Sequence, residues 1–234
     1  MNNIKLFFVA IALLVSSVSF AQFSNNSNQY SATTGATDGW STLWVEWNPS
    51  TFKSDQRYLK RILDGSQSFT GISAGYSHAL NVLSGTPLFV ETGVGFQYSF
   101  CTYIADEDYY GYDDEEEFKL SMFSVKVPLN LLYKLNLPNS SVSLLPFAGL
   151  YARYNIFGKA IDKNKNDEDY DLFDIDDEFW TKKEGKRFQM GWSVGLKALL
   201  GQKILLGVSY CSDISECSKD SNISNASITL GYTF

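Results

Sequence analysis

The residues with the clearest chemical potential are carboxylates in a long acidic stretch. Asp167, Asp169, Asp171 and Glu178 occupy positions 1, 3, 5 and 12 of a calcium-loop pattern, in which oxygen ligands bind a hard divalent cation. Position 6 of the pattern is Leu172, where the sharp turn favours glycine, and no flanking helices are evident. The stretch therefore has two interpretations, a divalent-cation site and a solvated acidic loop.

A second set of polar residues alternates with apolar residues along several segments. Strand side chains point to two faces in turn, so these polar residues would face inward if the apolar faces contact lipid. Interior charges need partners, because an isolated buried charge is costly. The alternation predicts an interior polar cluster consisting of Glu91, Gln97, Lys126, Asn130, Arg153 and Lys197. A structural plug is the simpler interpretation, and a narrow ion path is the alternative.

The remaining reactive groups give little support for an enzyme. His78 is the only histidine, and its neighbour Ser77 would point to the opposite face of a strand. The cysteines lack metal-site spacing, although Cys211 and Cys217 flank one short segment and would be able to pair in an oxidising envelope. Cys101 would then remain unpaired. We predict no catalytic residues and no cofactor.

Acidic charge is concentrated in two regions of the chain. The net charge is −7, and 18 of the 26 acidic residues lie in 106–117 and 162–184. No basic stripe is present, which argues against a nucleic-acid partner. The run Asp113–Glu117 follows Tyr109, Tyr110 and Tyr112, a mixture that fits partner recognition, an interfacial girdle or a plain loop.

The N-terminus has the pattern of a secretory signal. Lys5 precedes an apolar run at 6–20, and Ser19-Phe20-Ala21 forms a small-x-small cleavage site before Gln22. We therefore predict a signal peptide over 1–21, a periplasmic N-terminal segment over 22–39 and one β-barrel domain over 40–234. The aromatic content of 15% and the 17 glycines suit a membrane barrel with interfacial girdles.

Period-two patterning positions these residues on eight predicted strands. Their expected ranges are 40–48, 67–79, 86–104, 118–135, 141–157, 187–200, 202–212 and 224–234. Short connections at 80–86, 136–140 and Gly201-Gln202 alternate with long ones at 49–66, 105–117, 158–186 and 213–223. Strands such as Leu88–Phe100 are long enough to span an apolar band of about 25 Å.

This pattern predicts an all-β, eight-stranded antiparallel up-and-down transmembrane barrel. The short turns would face the periplasm and the long loops the outside, as in outer-membrane barrels. An even strand number would place both termini in the periplasm. An eight-stranded interior is filled by side chains, so a general diffusion pore is excluded.

Several motifs resemble a known family. The runs Pro87–Gly95, Phe123–Leu131 and Pro146–Leu150 look like the PorT-like outer-membrane β-barrel family of Bacteroides-type bacteria. The C-terminal strand, with Tyr232 and Phe234, is similar to the closing strand that such proteins present to the barrel-assembly machinery. The resemblance implies fold and location. It implies no catalytic residues and does not establish a role in type IX secretion.

The sequence thus predicts a non-enzymatic outer-membrane barrel of a Gram-negative cell envelope, with a structural or surface-interaction role. Expected partners are outer-membrane lipid, lipopolysaccharide, the barrel-assembly machinery and an envelope or host protein. One alternative is a narrow channel or transporter for small solutes, and another is an accessory barrel for envelope assembly or secretion.

Overall fold

The chain forms a closed antiparallel β-barrel in a computed structural model, which describes residues 39–54, 66–83, 85–105, 116–162, 168–171, 173, 186–215 and 221–234. The strands are β1 (Gly39–Trp47), β2 (Ser50–Ser54), β3 (Ser66–Asn81), β4 (Leu88–Ala105), β5 (Glu116–Tyr133), β6 (Leu135–Asn136), β7 (Val142–Asp162), β8 (Glu168–Asp171), β9 (Phe188–Leu200), β10 (Ile204–Asp213) and β11 (Ser221–Thr233). Within these ranges, no helix has the length and apolar character that crossing a membrane would require.

Eight strand positions close the sheet into a barrel, which confirms the predicted fold. β1 pairs with β11 on one side and with β3 on the other, so the barrel has no free edge between its first and last strands. β2 continues β1 beyond Asn48-Pro49 and pairs with the same two neighbours. β1 and β2 therefore occupy one strand position of the barrel, with an interruption between them. β6 and β8 are short strands that pair only with β7.

The strands extend further into the long connections than the sequence pattern predicted. β2 lies inside the predicted loop 49–66, while the end of β7 and all of β8 lie inside the predicted loop 158–186. Strand pairing can continue above a membrane because backbone groups still hydrogen-bond to one another when the side chains are polar. The described residues of these connections therefore extend the barrel strands beyond the predicted ends.

Apolar side chains face outward along the whole barrel. Leu43, Phe96, Leu129, Val208 and Leu230 are each about half exposed. Their neighbours in sequence, such as Thr42 and Gln97, are buried inside. An exposed apolar exterior around a polar-lined interior is the arrangement of a transmembrane barrel and the reverse of a soluble one.

Three short turns, the start of β1 and the C-terminal Phe234 lie at one end of the barrel, here called the short-turn end; the opposite end is called the loop end. Gly201 and Gln202 both have positive φ, of 57° and 61°, in a hydrogen-bonded turn between β9 and β10. Positive φ at both central residues defines a type I′ turn, whose twist matches that of a hairpin. The predicted Gly201-Gln202 turn therefore has the geometry that a tight hairpin needs.

A β-bulge interrupts β7 near the loop end. Phe123 pairs with Phe157 whereas Ser124 pairs with Asn155, so Ile156 is an extra residue. Ile156 and Phe157 consequently both lie on the exposed exterior. Above the bulge, the alternation of β7 is shifted by one residue.

Candidate functional site

An apolar plug fills the barrel at the short-turn end. Trp40 and Phe89 pack with ring centroids 4.6 Å apart, and Leu132 and Leu145 are fully buried beside them. The complete plug consists of Trp40, Ala79, Phe89, Leu132, Leu145, Phe147, Leu199 and Leu205. In the turn after β5, Lys134 holds its ammonium 5.3 Å from the Trp40 ring, and burial lowers the pKa of Lys134.

Above the plug, Glu91 is the centre of a buried network. Lys197 Nζ lies 2.8 and 2.5 Å from the two carboxylate oxygens of Glu91. Ser77 donates to Glu91 at 3.0 Å and the Asn130 amide donates at 3.1 Å. Ser193 in turn donates to Asn130 at 3.0 Å. A carboxylate with a cation and two further donors is well compensated for its loss of hydration.

A second network lies closer to the loop end. Arg153 forms a buried ion pair with Asp213, at 2.6 Å between the guanidinium and a carboxylate oxygen. The other oxygen of Asp213 accepts a hydrogen bond of 2.6 Å from the Tyr151 hydroxyl. Arg153 also donates to the side-chain oxygen of Gln189, at 2.8 Å from Nε. The network links β7, β9 and β10 across the interior.

Between the plug and the second network is a cavity of about 70 Å³, lined by charged and polar side chains. Lys126 reaches into it with its ammonium 3.4 Å from the Cys211 sulfur and 4.5 Å from the centre of the Tyr151 ring. Glu46 faces the same cavity and accepts a hydrogen bond of 3.0 Å from Thr229. The middle of the barrel is therefore a small cavity with charged and polar residues in its wall, and the apolar plug closes it at the short-turn end.

All six residues of the predicted interior cluster face the inside, but they do not form one group. Glu91, Asn130 and Lys197 share the first network, while Arg153 belongs to the second. Gln97 donates to Ser99 at 3.1 Å. Lys126 contacts Cys211 and Tyr151 instead of a carboxylate.

Sequence reasoning missed Tyr151, Gln189 and Asp213 of the second network. Tyr151 has the same inward parity as Arg153 on β7, a signal that was present in the pattern. Asp213 was assigned to a loop, whereas it is the last residue of β10 and fully inside.

Cys211 is a free, buried thiol inside the barrel. The sulfur of Cys211 lies 3.4 Å from the Lys126 ammonium, and the predicted Cys211–Cys217 disulfide stays a prediction. Cys217 itself lies outside the described residues. Cys101 is also free.

The predicted divalent-cation loop contains an extended strand, whereas a calcium loop would bend so that its carboxylates surround one ion. Asp169 and Asp171 belong to β8, which pairs with β7 in an extended hairpin. Asp171 forms a partly exposed ion pair of 3.1 Å with Arg187 and accepts a backbone hydrogen bond from Phe173. Asp167 and Glu178 lie outside the described residues, among which no three metal-binding side chains cluster.

His78 has a serine neighbour that the sequence did not indicate. Ser77 turns inward to Glu91, but Ser41 on β1 places its Oγ 2.9 Å from His78 Nδ1 and 2.9 Å from the Tyr76 hydroxyl. Ser41 is only 2% exposed and His78 is 8% exposed. A nucleophile must be accessible to its substrate. Ser41, Tyr76 and His78 instead satisfy one another's hydrogen-bonding groups at this position on the outer face.

At the short-turn end, the C-terminal residues close the barrel. Phe234 and Ser41 exchange backbone hydrogen bonds of 2.9 and 3.1 Å. Tyr232 and Phe234 project outward and are more than half exposed. The tyrosines and acidic residues of 106–115 lie outside the described residues.

Comparison with known proteins agrees with the barrel. A family model described as the outer membrane protein beta-barrel domain matches residues 10–234. No curated protein matches the chain.

Solved structures of outer-membrane proteins are similar to the chain at low identity. Ail, the attachment invasion locus protein of Yersinia pestis, in complex with the heparin analogue sucrose octasulfate, is 14% identical with a TM-score of 0.48, over 85% of this chain and 100% of that chain. Neisserial surface protein A is 14% identical with a TM-score of 0.44, over 86% and 100%. The outer membrane enzyme PagL is 11% identical with a TM-score of 0.42, over 80% and 97%.

Proposed function

The chain belongs to the outer membrane protein β-barrel domain family, and on that premise we propose that it is a non-enzymatic barrel with a structural or surface-interaction role. It sits in the lipid of the bacterial outer membrane. On this proposal the loops and the exterior contact the protein's partners, and the interior side chains stabilise the barrel.

The plug at the short-turn end, together with two buried ion pairs, is the observation that carries the proposal. A solute entering from the loop end would meet the Arg153–Asp213 pair, then the Glu91–Lys197 pair, and finally the plug around Trp40. Each pair would have to separate inside the barrel, where an unpaired charge is expensive. The interior therefore favours a closed barrel over the alternative of a narrow channel.

Conductance in planar bilayers tests this proposal. We expect the native protein to give no single-channel steps, because the plug blocks the short-turn end. The variant Phe89→Ala/Leu132→Ala removes two large plug side chains and should give small, flickering currents. Leu131→Ala, on the exposed outer face beside Leu132, is the matched control and should stay silent. Ohmic steps from the native protein would overturn the proposal and favour a small-solute channel.

The surface role is assigned to the acidic stretches 106–117 and 162–184. Ail was crystallised with a sulfated ligand. Here, such a ligand would be repelled by acidic loops unless cations lay between the charges. Lipopolysaccharide is also anionic, so we propose that bridging divalent cations connect it to these loops. An envelope or host protein that uses the interleaved tyrosines is the other surface partner.

A binding assay separates these two partners. Neutralising Asp113–Glu117 with asparagine and glutamine should abolish calcium-dependent binding to lipopolysaccharide vesicles. Tyr109→Ser/Tyr110→Ser/Tyr112→Ser keeps the charges and should leave that binding intact while weakening capture of a protein partner by cross-linking. Binding that is unaffected by a chelator would count against the bridging cations.

The resemblance to the PorT-like family supports a second candidate, an accessory barrel for envelope assembly or secretion. The test is a deletion strain, in which secreted or surface-exposed proteins should accumulate inside the cell. An unchanged secreted fraction would remove this candidate.

Export and orientation are also proposed. We propose cleavage after Ala21 and a periplasmic location for both termini, which the backbone pairing of Ser41 with Phe234 at the short-turn end supports. N-terminal sequencing of the mature protein should begin at Gln22. Protease added to intact cells should cut the long loops and spare a C-terminal tag.

A further inference from the structure

Four basic side chains lie on neighbouring strands of the exterior at the loop end. Lys119 is exposed on the outward face of β5, and Lys159 is exposed on the outward face of the adjacent β7. Lys186 and Arg187 come directly before Phe188, the first residue of β9, which also pairs with β7. We call these four basic residues the basic patch. Because the three strands are adjacent, the patch occupies one side of the barrel.

Aromatic rings lie below the basic patch, on the side of the membrane. Phe157 is two residues below Lys159 on the outward face of β7, and Phe123 is four residues below Lys119 on that of β5. At about 2.5 Å of height per residue in a tilted strand, the two lysine positions lie about 5 and 10 Å above these rings. Phe123 and Phe157 stack with centroids 5.4 Å apart. The long lysine chains can bend down toward this interface.

The height of the rings places the basic patch at the level of lipid headgroups. Leu88 to Phe100 covers about 30 Å, slightly more than the apolar band of about 25 Å. Phe100 and Phe123 are two residues apart in the register, because Tyr98 pairs with Phe123. The rings therefore lie at the upper edge of the band. The polar layer above the hydrocarbon is about 5–8 Å thick, which is the height at which the basic side chains begin.

Acidic residues of the same strands are further from the membrane, with one exception. In the register, Glu116-Glu117 comes above Lys119 on β5. Glu168-Asp169 of β8 likewise comes above Lys159. Asp171 is the exception, because it pairs in register with Lys159. A phosphate group that belongs to a membrane lipid therefore reaches the basic patch from below, without passing the other acidic residues of these strands.

Arg187 is held in place at the edge of the barrel. Its guanidinium donates to the carbonyl oxygen of Ile156 at 2.7 Å and to Asp171 at 3.1 Å, and it lies 4.9 Å from the Phe173 ring. The two hydrogen bonds use two of the five N–H donors. Guanidinium groups bind phosphate oxygens in pairs. The ion pair with Asp171 is partly exposed, and such pairs contribute little, so a phosphate can share the guanidinium.

We propose that the basic patch and the rings beneath it bind the phosphorylated headgroup of an outer-leaflet glycolipid. Phosphate oxygens contact Lys159 and Arg187, while the acyl chains of the same molecule pack against Phe157 and Phe188. The rings are exposed directly below the charges, which favours a lipid over a soluble anion. The inference rests on the proposed surface role and gives it a direct contact with lipid that needs no divalent cation.

Binding of diphosphoryl lipid A in the presence of EDTA tests the site. The full mature chain in zwitterionic detergent micelles should bind the lipid saturably in native mass spectrometry, and binding should weaken as salt is raised. Lys159→Gln/Arg187→Gln should bind about 30-fold more weakly, because each basic residue near an anionic surface contributes about fivefold. Equal binding by the native protein and this variant would overturn the proposal.

Matched variants separate the site from net charge and from misfolding. Lys53→Gln/Lys203→Gln also removes two exposed charges, one across the barrel from β7 and one at the short-turn end, and should bind like the native protein. Equal weakening by this control would mean unspecific attraction and would overturn the proposal. Lys159→Gln alone keeps the Arg187–Asp171 ion pair and should weaken binding about fivefold. Heat-modifiable migration checks that each variant is folded.

Two further arms identify the ligand and separate this site from the acidic stretches. Inorganic phosphate should compete poorly; competition at concentrations similar to those of the lipid would indicate a soluble anion and overturn the proposal. Neutralising Asp113–Glu117 should leave the EDTA-resistant binding unchanged. Binding of the native protein that appears only with calcium would overturn the basic site, while the proposed calcium bridges to the acidic stretches would stand.

Discussion

At the scale of single residues, the Glu91–Lys197 ion pair inside the barrel joins two strands that are far apart in the sequence. Period-two alternation determines which face a residue occupies, and this placed Glu91, Lys197 and Arg153 inside. Pairing depends on register across the barrel, which joins Glu91 to a lysine 106 residues away. No local pattern carries that information.

Replacing Lys197 should show how much the network around Glu91 contributes to the free energy of unfolding. Lys197→Met keeps a chain of similar length and leaves the Glu91 carboxylate buried without a cation. We expect a loss of about 3–5 kcal/mol in the free energy of unfolding, because an uncompensated buried charge is strongly destabilising. Urea unfolding in lipid vesicles, followed by tryptophan fluorescence, measures it.

Two further variants give that experiment its controls. Glu91→Gln/Lys197→Met removes both charges and should recover most of the loss. Lys53→Met, at an exposed position of β2, should change stability little. If the single and double variants were equally stable, the ion pair would have no energetic role.

At the scale of single strands, the exterior alternation was the stronger signal. It predicted the facing of β4 from Leu88 to Phe100, and the structure agrees along that segment. Strand ends were less predictable, because pairing continues above the membrane through polar residues such as Ser50–Ser54. The bulge at Ile156 also left no mark in composition, since both outward residues are apolar.

Val94→Arg tests the facing of β4. Val94 lies mid-strand on the lipid face, so a buried guanidinium there should cost about 2–4 kcal/mol. Thr102→Arg, on the same face of β4 beyond Phe100, should cost about 0–1 kcal/mol because it lies near or outside the interface. Equilibrium folding into vesicles measures both. Equal costs would mean that the proposed position of the hydrocarbon band is wrong.

For the whole molecule, barrel closure was predictable from strand number and from alternating connection lengths. The pairing of β1 with both β11 and β3 is the consequence. The hypotheses about surface partners came from the acidic stretches 106–117 and 162–184. Residues 106–115 and 174–185 lie outside the described residues, so those hypotheses depend on experiment.

Deletion of Phe234 should impair assembly. The deletion removes the last outward aromatic ring and the backbone hydrogen bonds with Ser41. We expect less folded barrel in the outer membrane and more protein degraded in the periplasm, measured by heat-modifiable migration of the membrane fraction. Phe234→Tyr keeps the aromatic ring and should assemble normally. Normal insertion of the deletion would exclude Phe234 as an assembly signal.

The extra residue in β7 has a consequence for the charge on the exterior. Because Ile156 shifts the alternation, Lys159 follows the outward Phe157 instead of the inward Asn155. Lys159 pairs in register with Asp171, whose carboxylate binds Arg187. One inserted residue thus presents basic and acidic groups to the medium above the lipid, and removing Ile156 would point the same lysine toward the lumen.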